Sequence, residues 1–492
     1  MFCSSVLSVP VGAAVSDLTG SQYLSEAAEL YKSGQYFKSS RYAFAALERD
    51  PSLRPGAYAW ITLGLTHAGL PHAASYFFIR ALQSRDSAAI RSVLSQTQQL
   101  TVHVGTDLFR HYLIKYTQYE QYDDLNRSAY LYALGKDALI SGDAKKAVGY
   151  FSGMHSSSPL WPNALQMRAT AYAILGRNQE ALHDFRKCQS AAEEDLSARC
   201  TASEARTLYQ MDQFQEADRV YDSIAKGTWV WPDILFEQAW NSFALQEYNR
   251  TLGKLVSYKS PALDFIFNPE VAVLQAQSYL ALCQYSDAND VINEFNQAYD
   301  VVGNEIKSFV EQNANNLDEF YRSGRSVLSA SLHSRNGVNR MVNRFIRGPY
   351  FQNLVQSEGQ LRRELEMIRR FDSGQTGVDH DLAKGFPGFL EQVIHWRERS
   401  IRFLGGAFVK NSLMDYHATL IDDSEKMSFI KLEMLKRAKD QLIYKNRPVG
   451  ERVRGNVNPT PRGDQIQWDF NGEFWNDELG DYVFGLESEC RG

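Results

Sequence analysis

The chain has 492 residues, of which 44% are hydrophobic and 22% charged, the composition of an ordinary globular protein of about two to four domains. Its formal net charge of −6 is spread along the sequence, which argues against a nucleic-acid footprint covering the whole molecule. No run of about 18 uninterrupted apolar residues exists, so no transmembrane helix is expected.

Residues 1–20 open with an apolar, small-residue segment, Val6 to Val15, which turns polar after Ser16. Val11-Gly12-Ala13 or Ala14-Val15-Ser16 would suit a signal peptidase, but no Lys or Arg precedes the run. The segment reads either as the remnant of an export signal or as a disordered start. Cys3 precedes the apolar run rather than following it, which argues against a lipidated cysteine.

Residues 21–300 carry a repeat. Gly142 sits between Leu134-Gly135 on one side and Ala147, Phe151 and Pro159 on the other. Gly176, 34 residues later, repeats the frame with Ala169, Tyr172, Ala181 and Phe185. Upstream, Gly34 is followed by Tyr36, Ala43, Ala46 and Pro51, and Trp60, Leu63, Gly64 and Ala81 outline a second unit with a slightly short turn. Downstream, turns at Asp212, Gln246 and Cys283 are followed by Phe214, Ala217 and Tyr221, by Tyr248 and Leu255, and by Tyr285, Ala288 and Phe295. The turn positions from 142 to 283 are thus spaced by 34, 36, 34 and 37 residues. Small residues at the crossing point let two helices approach closely, and the aromatic residues fill the gap between successive hairpins.

This pattern resembles the tetratricopeptide repeat family. The resemblance covers about half the chain. It implies a right-handed α-solenoid of about seven helical hairpins, with a concave groove lined by first helices that holds a peptide or a partner's helix. The Lys, Arg and Asn set by which the family clamps peptide carboxylates does not recur in register, so no partner-binding residue is assigned.

Cys188 and Cys200, 12 residues apart, fall at the end of one repeat and the start of the next. Either they form a disulfide, which would need an oxidising compartment, or they are two small buried thiols.

From 301 to 447 the repeat period fades while helical periodicity persists. Phe351, Leu354, Leu361, Leu365, Ile368 and Phe371 share one helix face, as do Val393, Ile401, Leu404 and Phe408, and Met427, Ile430, Met434, Ala438 and Leu442. Arg347-Gly348-Pro349, Asp372 to Asp381 and Gly385-Phe386-Pro387-Gly388 read as breaks between long amphipathic helices, and the Asn313 to Asn316 and Ser329 to Ser334 runs as interruptions. Arginines are dense here (Arg335, Arg340, Arg344, Arg347, Arg362, Arg363, Arg369, Arg370, Arg397, Arg399, Arg402). Glu358, Glu364 and Glu366 at helix-neighbour spacings make a salt-bridged face the expectation over a nucleic-acid stripe.

The final segment, 448–492, starts with a linker, Pro448 to Gly463. Gln465 to Phe470 and Tyr482 to Leu486 alternate polar and apolar around Asn471-Gly472, which predicts a small β-hairpin. Trp468, Phe470, Phe474, Trp475, Tyr482 and Phe484 are too many large aromatics to leave in water, and docking on the helical body is expected over an edge offered to a partner. The aromatic, acidic tail is also similar to the tails of large repeat proteins from gliding and predatory bacteria.

No phosphate loop, dinucleotide fingerprint, HExxH, CxxC or GxSxG motif is present. Asp379-His380-Asp381 is the one tight cluster of metal-ligand types, and it reads as a solvated turn. The expectation is therefore an all-α protein without cofactor, metal or catalytic residues. It would be a non-catalytic protein-protein interaction scaffold that assembles or braces a bacterial cell-envelope complex, periplasmic or envelope-associated, and otherwise cytoplasmic. The alternative is a set of recruitment repeats fused to a C-terminal helical enzyme or ligand-processing module, which a pocket of converging ionisable groups within 305–450 would favour.

Overall fold

The computed structural model describes residues 18–263, 266, 268–329, 337–374, 382–442 and 466–490. Asp379-His380-Asp381, the Val6 to Val15 run, Cys3, Arg335 and the Pro448 to Gly463 linker lie outside the described residues. Internal contacts divide the chain into two units, Met1–Arg177 with Gln356–Ile401, and Asn178–Val355 with Arg402–Gly492.

The first unit contains α1 (Gly20–Lys32), α2 (Tyr36–Arg49), α3 (Arg54–His67), α4 (Pro71–Gln83), α5 (Ser87–Leu94), α6 (Thr97–Val104), α7 (Thr106–Tyr116), α8 (Asp124–Ile140), α9 (Ala144–Ser152) and α10 (Trp161–Ile174). The second contains α11 (Asn178–Ala191), α12 (Glu194–Gln210), α13 (Phe214–Asp222), α14 (Trp231–Ala244), α15 (Tyr248–Val256), α16 (Glu270–Ala281), α17 (Tyr285–Gln312), α18 (Leu317–Ser329) and α19 (Gly337–Ile346). Two long helices, α20 (Pro349–Ser373) and α21 (Gly385–Leu442), contribute to both units.

One turn geometry recurs. Gly34, Gly69, Gly142, Gly176, Asp212, Gln246 and Cys283 all sit at positive φ, between 56° and 81°. At each, the N–H of that residue donates to the carbonyl three residues back, and the next N–H donates to the carbonyl five back. At Gly142 these bonds reach Leu139 (3.0 Å) and Ala138 (2.8 Å), and at Cys283 they reach Leu280 (3.0 Å) while Gln284 reaches Tyr279 (2.9 Å). This is the left-handed helix cap that satisfies the orphan carbonyls of the first helix and points the chain into the second. The result is an all-α solenoid of tetratricopeptide-like hairpins. Ala147, Phe151, Ala181, Phe185, Ala217, Tyr221, Ala288 and Phe295 are all buried, as the repeat frame requires.

Close helix approach explains the glycine at the crossing point. A Cβ on Gly64 would lie 2.2 Å from the Ser40 Oγ, and one on Gly135 would lie 2.5 Å from the Phe151 ring. Between Gly69 and Gly142 the chain departs from the pattern and inserts the short helices α5, α6 and α7.

In the first unit α20 and α21 pack on second helices. The Phe37 ring stacks on Phe371 at 4.8 Å, and Phe44 meets Phe386 at 5.0 Å. The buried Arg41 guanidinium donates to Asp372 (2.8 Å), and the Glu364 carboxylate accepts from the His72 (2.8 Å) and Ala73 (2.9 Å) N–H groups at the start of α4. Glu364 thus caps a helix from 292 residues away. In the second unit Met427, Ile430 and Met434 of α21 share a core with Val273, Ala276, Ile292 and Phe295.

The long helices largely follow the expected faces, with Phe351, Leu361, Ile368, Val393, Ile401, Met427, Ile430 and Met434 buried, but Leu404, expected on the same face as Val393 and Ile401, is exposed. Two expectations change. Gly385-Phe386-Pro387-Gly388 does not interrupt α21 but forms its first turn, where proline needs no donor. The residue-300 boundary falls inside α17, which runs unbroken from Tyr285 to Gln312.

The C-terminal β element exists but is not a hairpin. Strands β1 (Trp468–Asp469) and β2 (Tyr482–Val483) pair in parallel, Trp468 with Tyr482 and Asp469 with Val483. Gly472 does turn the chain (φ 98°), yet the path continues through turns at Glu478 and Gly480 (φ 92°) before pairing. Burial explains the change. Leu479, Tyr482, Phe470, Phe474 and Phe484 gather against Trp231, Leu235 and Val256, and that apolar cluster outweighs the few hydrogen bonds a two-residue ladder can offer. Trp468 and Trp475 stay exposed.

Two disulfides tie the second unit. Cys188 and Cys200 join α11 to α12 with Cα atoms 6.1 Å apart, which decides between the two readings of that pair. Cys283 and Cys490 join the turn after α16 to the chain end across 207 residues, with Cα atoms 5.1 Å apart.

Candidate binding site

Repeat geometry makes α12 and α14 first helices of successive hairpins in the second unit. On them lies a cleft of about 460 Å³ lined by Arg206, Trp229, Asp233, Phe236 and Glu237, and closed by Arg344, Phe345, Ser412, Asp415 and Tyr416 from α19 and α21. Two ion pairs lie within it. Arg206 holds Glu237 in a fork with contacts of 2.7 to 3.1 Å, and the Tyr221 hydroxyl donates to the same carboxylate (3.1 Å). Arg344 lies 3.4 Å from Asp233 and 3.3 Å from the Asn268 Oδ1. The Tyr258 hydroxyl donates to the Pro232 carbonyl beneath.

Burial disfavours the charge on Arg344, but Asp233 and Tyr416 beside it outweigh that and raise its pKa. Burial also drives the Tyr416 and Tyr258 phenols upward. A permanently cationic guanidinium and firmly neutral phenols are suited to fixing a ligand's orientation. They are poorly matched to proton transfer near neutral pH.

A second cleft, of about 760 Å³, lies among α13, α14, α15 and the tail, lined by Asp218, Asp222, Lys226, Trp231, Gln238, Lys254 and Asp481. The tail that forms one wall is held as an extended peptide. Asn249 of α15 grips Leu486 twice, its Oδ1 accepting the Leu486 N–H (3.0 Å) and its Nδ2 donating to the Leu486 carbonyl (3.0 Å). The Phe484 N–H donates to the Asn249 carbonyl (3.1 Å), the Gln284 amide to the Glu487 carbonyl (3.0 Å), and Lys226 to Asp481 (2.7 Å) and the Asp477 carbonyl (2.8 Å). Gly253 permits the approach, since a Cβ there would stand 1.8 Å from the Tyr482 carbonyl oxygen.

No partner-binding residue was assigned from sequence, and neither Asn249 nor Gly253 carried a signal, because a single Asn or Gly on a second helix has no periodic context. Several of the dense arginines are taken up within the molecule: Arg344 by Asp233, Arg362 by Glu358 (3.5 Å), Arg369 by Glu391 (2.9 Å), Arg402 by Asp318 (3.7 Å), and Arg397 by the Val104 carbonyl (3.3 Å). Among the described residues no group of three or more His, Cys, Asp or Glu is placed to hold a metal ion, and no helix is long and apolar enough to cross a membrane.

Fold and turns together define a tetratricopeptide-like helical repeat protein. The chain is similar to the crystal structure of the P58(IPK) TPR domain, at 12% identity over 76% of this chain and 98% of that one, with a TM-score of 0.20. No family model matches the sequence, and no curated protein matches it.

Proposed function

We propose that this protein is a non-catalytic binding scaffold that holds an extended segment of a protein partner across α12 and α14, and that it works in an oxidising compartment, the periplasm or cell envelope of a bacterium. The observation that carries the reading is the tail itself. An extended peptide of this chain already lies against α14 and α15, held through its main chain by Asn249 of α15 and by Gln284. The two disulfides support the compartment, since such bonds persist where thiols are not kept reduced.

The enzyme or ligand-processing alternative draws on the ionisable groups of the 460 Å³ cleft, to which Arg344, Asp415 and Tyr416 contribute. The pairing of Arg344 with Asp233 and the upward shifts of Arg344 and Tyr416 favour a holding site.

The test is crosslinking in the native host followed by mass spectrometry, beside a Trp229→Ala variant that removes an aromatic wall of the cleft. Crosslinks concentrated on α12 and α14, lost in the variant, support the proposal. Crosslinks elsewhere, or a mature chain recovered with reduced cysteines from the cytosol, sink it.

A further inference from the structure

Helix α21 carries two apolar stripes, and only one has a partner among the described residues. Leu413, Leu420, Met427 and Met434 point into the second unit and are buried. Phe403, Met414, Ile421 and Leu432 lie along another face, with exposures from 42% at Ile421 to 64% at Leu432, and Leu435 and Phe429 extend the patch. The four are spaced by eleven, seven and eleven residues. Those intervals are three, two and three helical turns, so the stripe runs nearly parallel to the axis for about 44 Å. Four large apolar side chains held in one line on solvent over that length are more than scattered surface hydrophobics.

We propose that this stripe is a self-association surface, on which α21 of a second copy lies antiparallel. The argument is register. A two-fold axis midway between His417 and Ala418 sets Phe403 opposite Leu432 and Met414 opposite Ile421, so each apolar residue of the line meets another. The same axis sets Lys410 opposite Glu425 and Ala407 opposite Ser428. A two-fold interface requires such self-complementarity, since each contact occurs twice. Glu425 is exposed, and Lys410 donates one N–H to the Ala314 carbonyl (2.7 Å), which leaves two for a carboxylate. A parallel pairing would set each lysine against lysine, and the antiparallel arrangement removes that repulsion. The spacing, about 3.6 residues per turn over the stripe, keeps the line facing a single partner helix laid along it at a shallow angle.

Sedimentation of the full-length, disulfide-intact chain tests this. A dimer of twice 55.9 kDa is expected at micromolar concentration. Lys410→Glu and Glu425→Lys should each weaken dimerisation about tenfold at low salt, and the two together should restore it. All these positions face solvent or half-face it, and circular dichroism confirms that each variant is folded. In a Cys3→Ser background, Met414→Cys mixed with Ile421→Cys should yield a disulfide-linked dimer, whereas Met414→Cys alone should not. A chain that stays monomeric at 100 µM (about a hundred times the micromolar concentration expected to suffice), a charge swap without rescue, or self-linking of Met414→Cys would each overturn the proposal.

Discussion

A single hydrogen atom decides how closely α8 and α9 approach. The Gly135 Cα faces the Phe151 ring so tightly that a methyl group there would sit 2.5 Å from it. Gly135→Ala should therefore cost about 1–3 kcal/mol despite the better helix propensity of alanine, seen as a lower melting temperature. A variant as stable as the parent would show that the hairpin can widen freely. At Glu364 the decisive effect is burial, which pushes the carboxyl up to about 8 even though two backbone N–H groups donate to it. The folded form then holds a proton that the unfolded form has already lost, so this group's contribution is present below the ordinary carboxylate range and is lost as pH rises towards 8. The stability difference between the parent and Glu364→Gln should accordingly shrink between about pH 5 and about pH 8, measured by denaturant unfolding. His72, whose ring burial pushes down to about 4, has the opposite slope but is common to both proteins and cancels in the comparison.

Among elements, the turns were the most legible part of the sequence. Gly34, Gly142, Gly176, Asp212, Gln246 and Cys283 were located from spacing alone, and each adopts the left-handed conformation. Three of them are not glycine, so composition could not have found them; the aromatic and small residues at fixed offsets did. The stretch with α5, α6 and α7 was not legible, because it has no partner repeat to be compared with. The tail was half legible. Alternation correctly marked β1 and β2 as extended; of the aromatics expected to dock, Phe470, Phe474, Tyr482 and Phe484 do and Trp468 and Trp475 do not, and the pairing direction depended on a core formed with α14 and α15, which no local pattern encodes. Gly253→Ala probes that docking. It should leave α15 intact or slightly firmer, since alanine favours helix, while pushing Tyr482 away. Hydrogen exchange at the Phe484 and Leu486 amides, both of which donate to Asn249, should then accelerate by at least tenfold, or about 1.4 kcal/mol. Unchanged protection would contradict the contact.

For the whole molecule, the binding surfaces were largely illegible. The first-helix cleft joins Arg206 and Glu237 to Arg344 and Tyr416, residues brought together only by the return of α19 and α21. The Cys188–Cys200 bond was foreshadowed by its short spacing, whereas Cys283 and Cys490 had no spacing rule to join them. Cys283→Ser with Cys490→Ser should lower stability by roughly 2–5 kcal/mol, because a closure across so long a stretch restricts the unfolded chain strongly. Thermal unfolding with and without reductant checks it: reductant should shift the parent further than the variant, and equal shifts would assign the whole effect to Cys188–Cys200.

The Cys283–Cys490 bond also makes a covalent ring of everything from α17 to the end of the tail, including the stretch Gln356–Ile401 that belongs to the first unit. A protease that severs one peptide bond anywhere inside that ring opens the circle without releasing a fragment. The nicked molecule would migrate as one species until its sulfurs were reduced, so this protein can be cut once in a hostile medium and still keep both ends in hand.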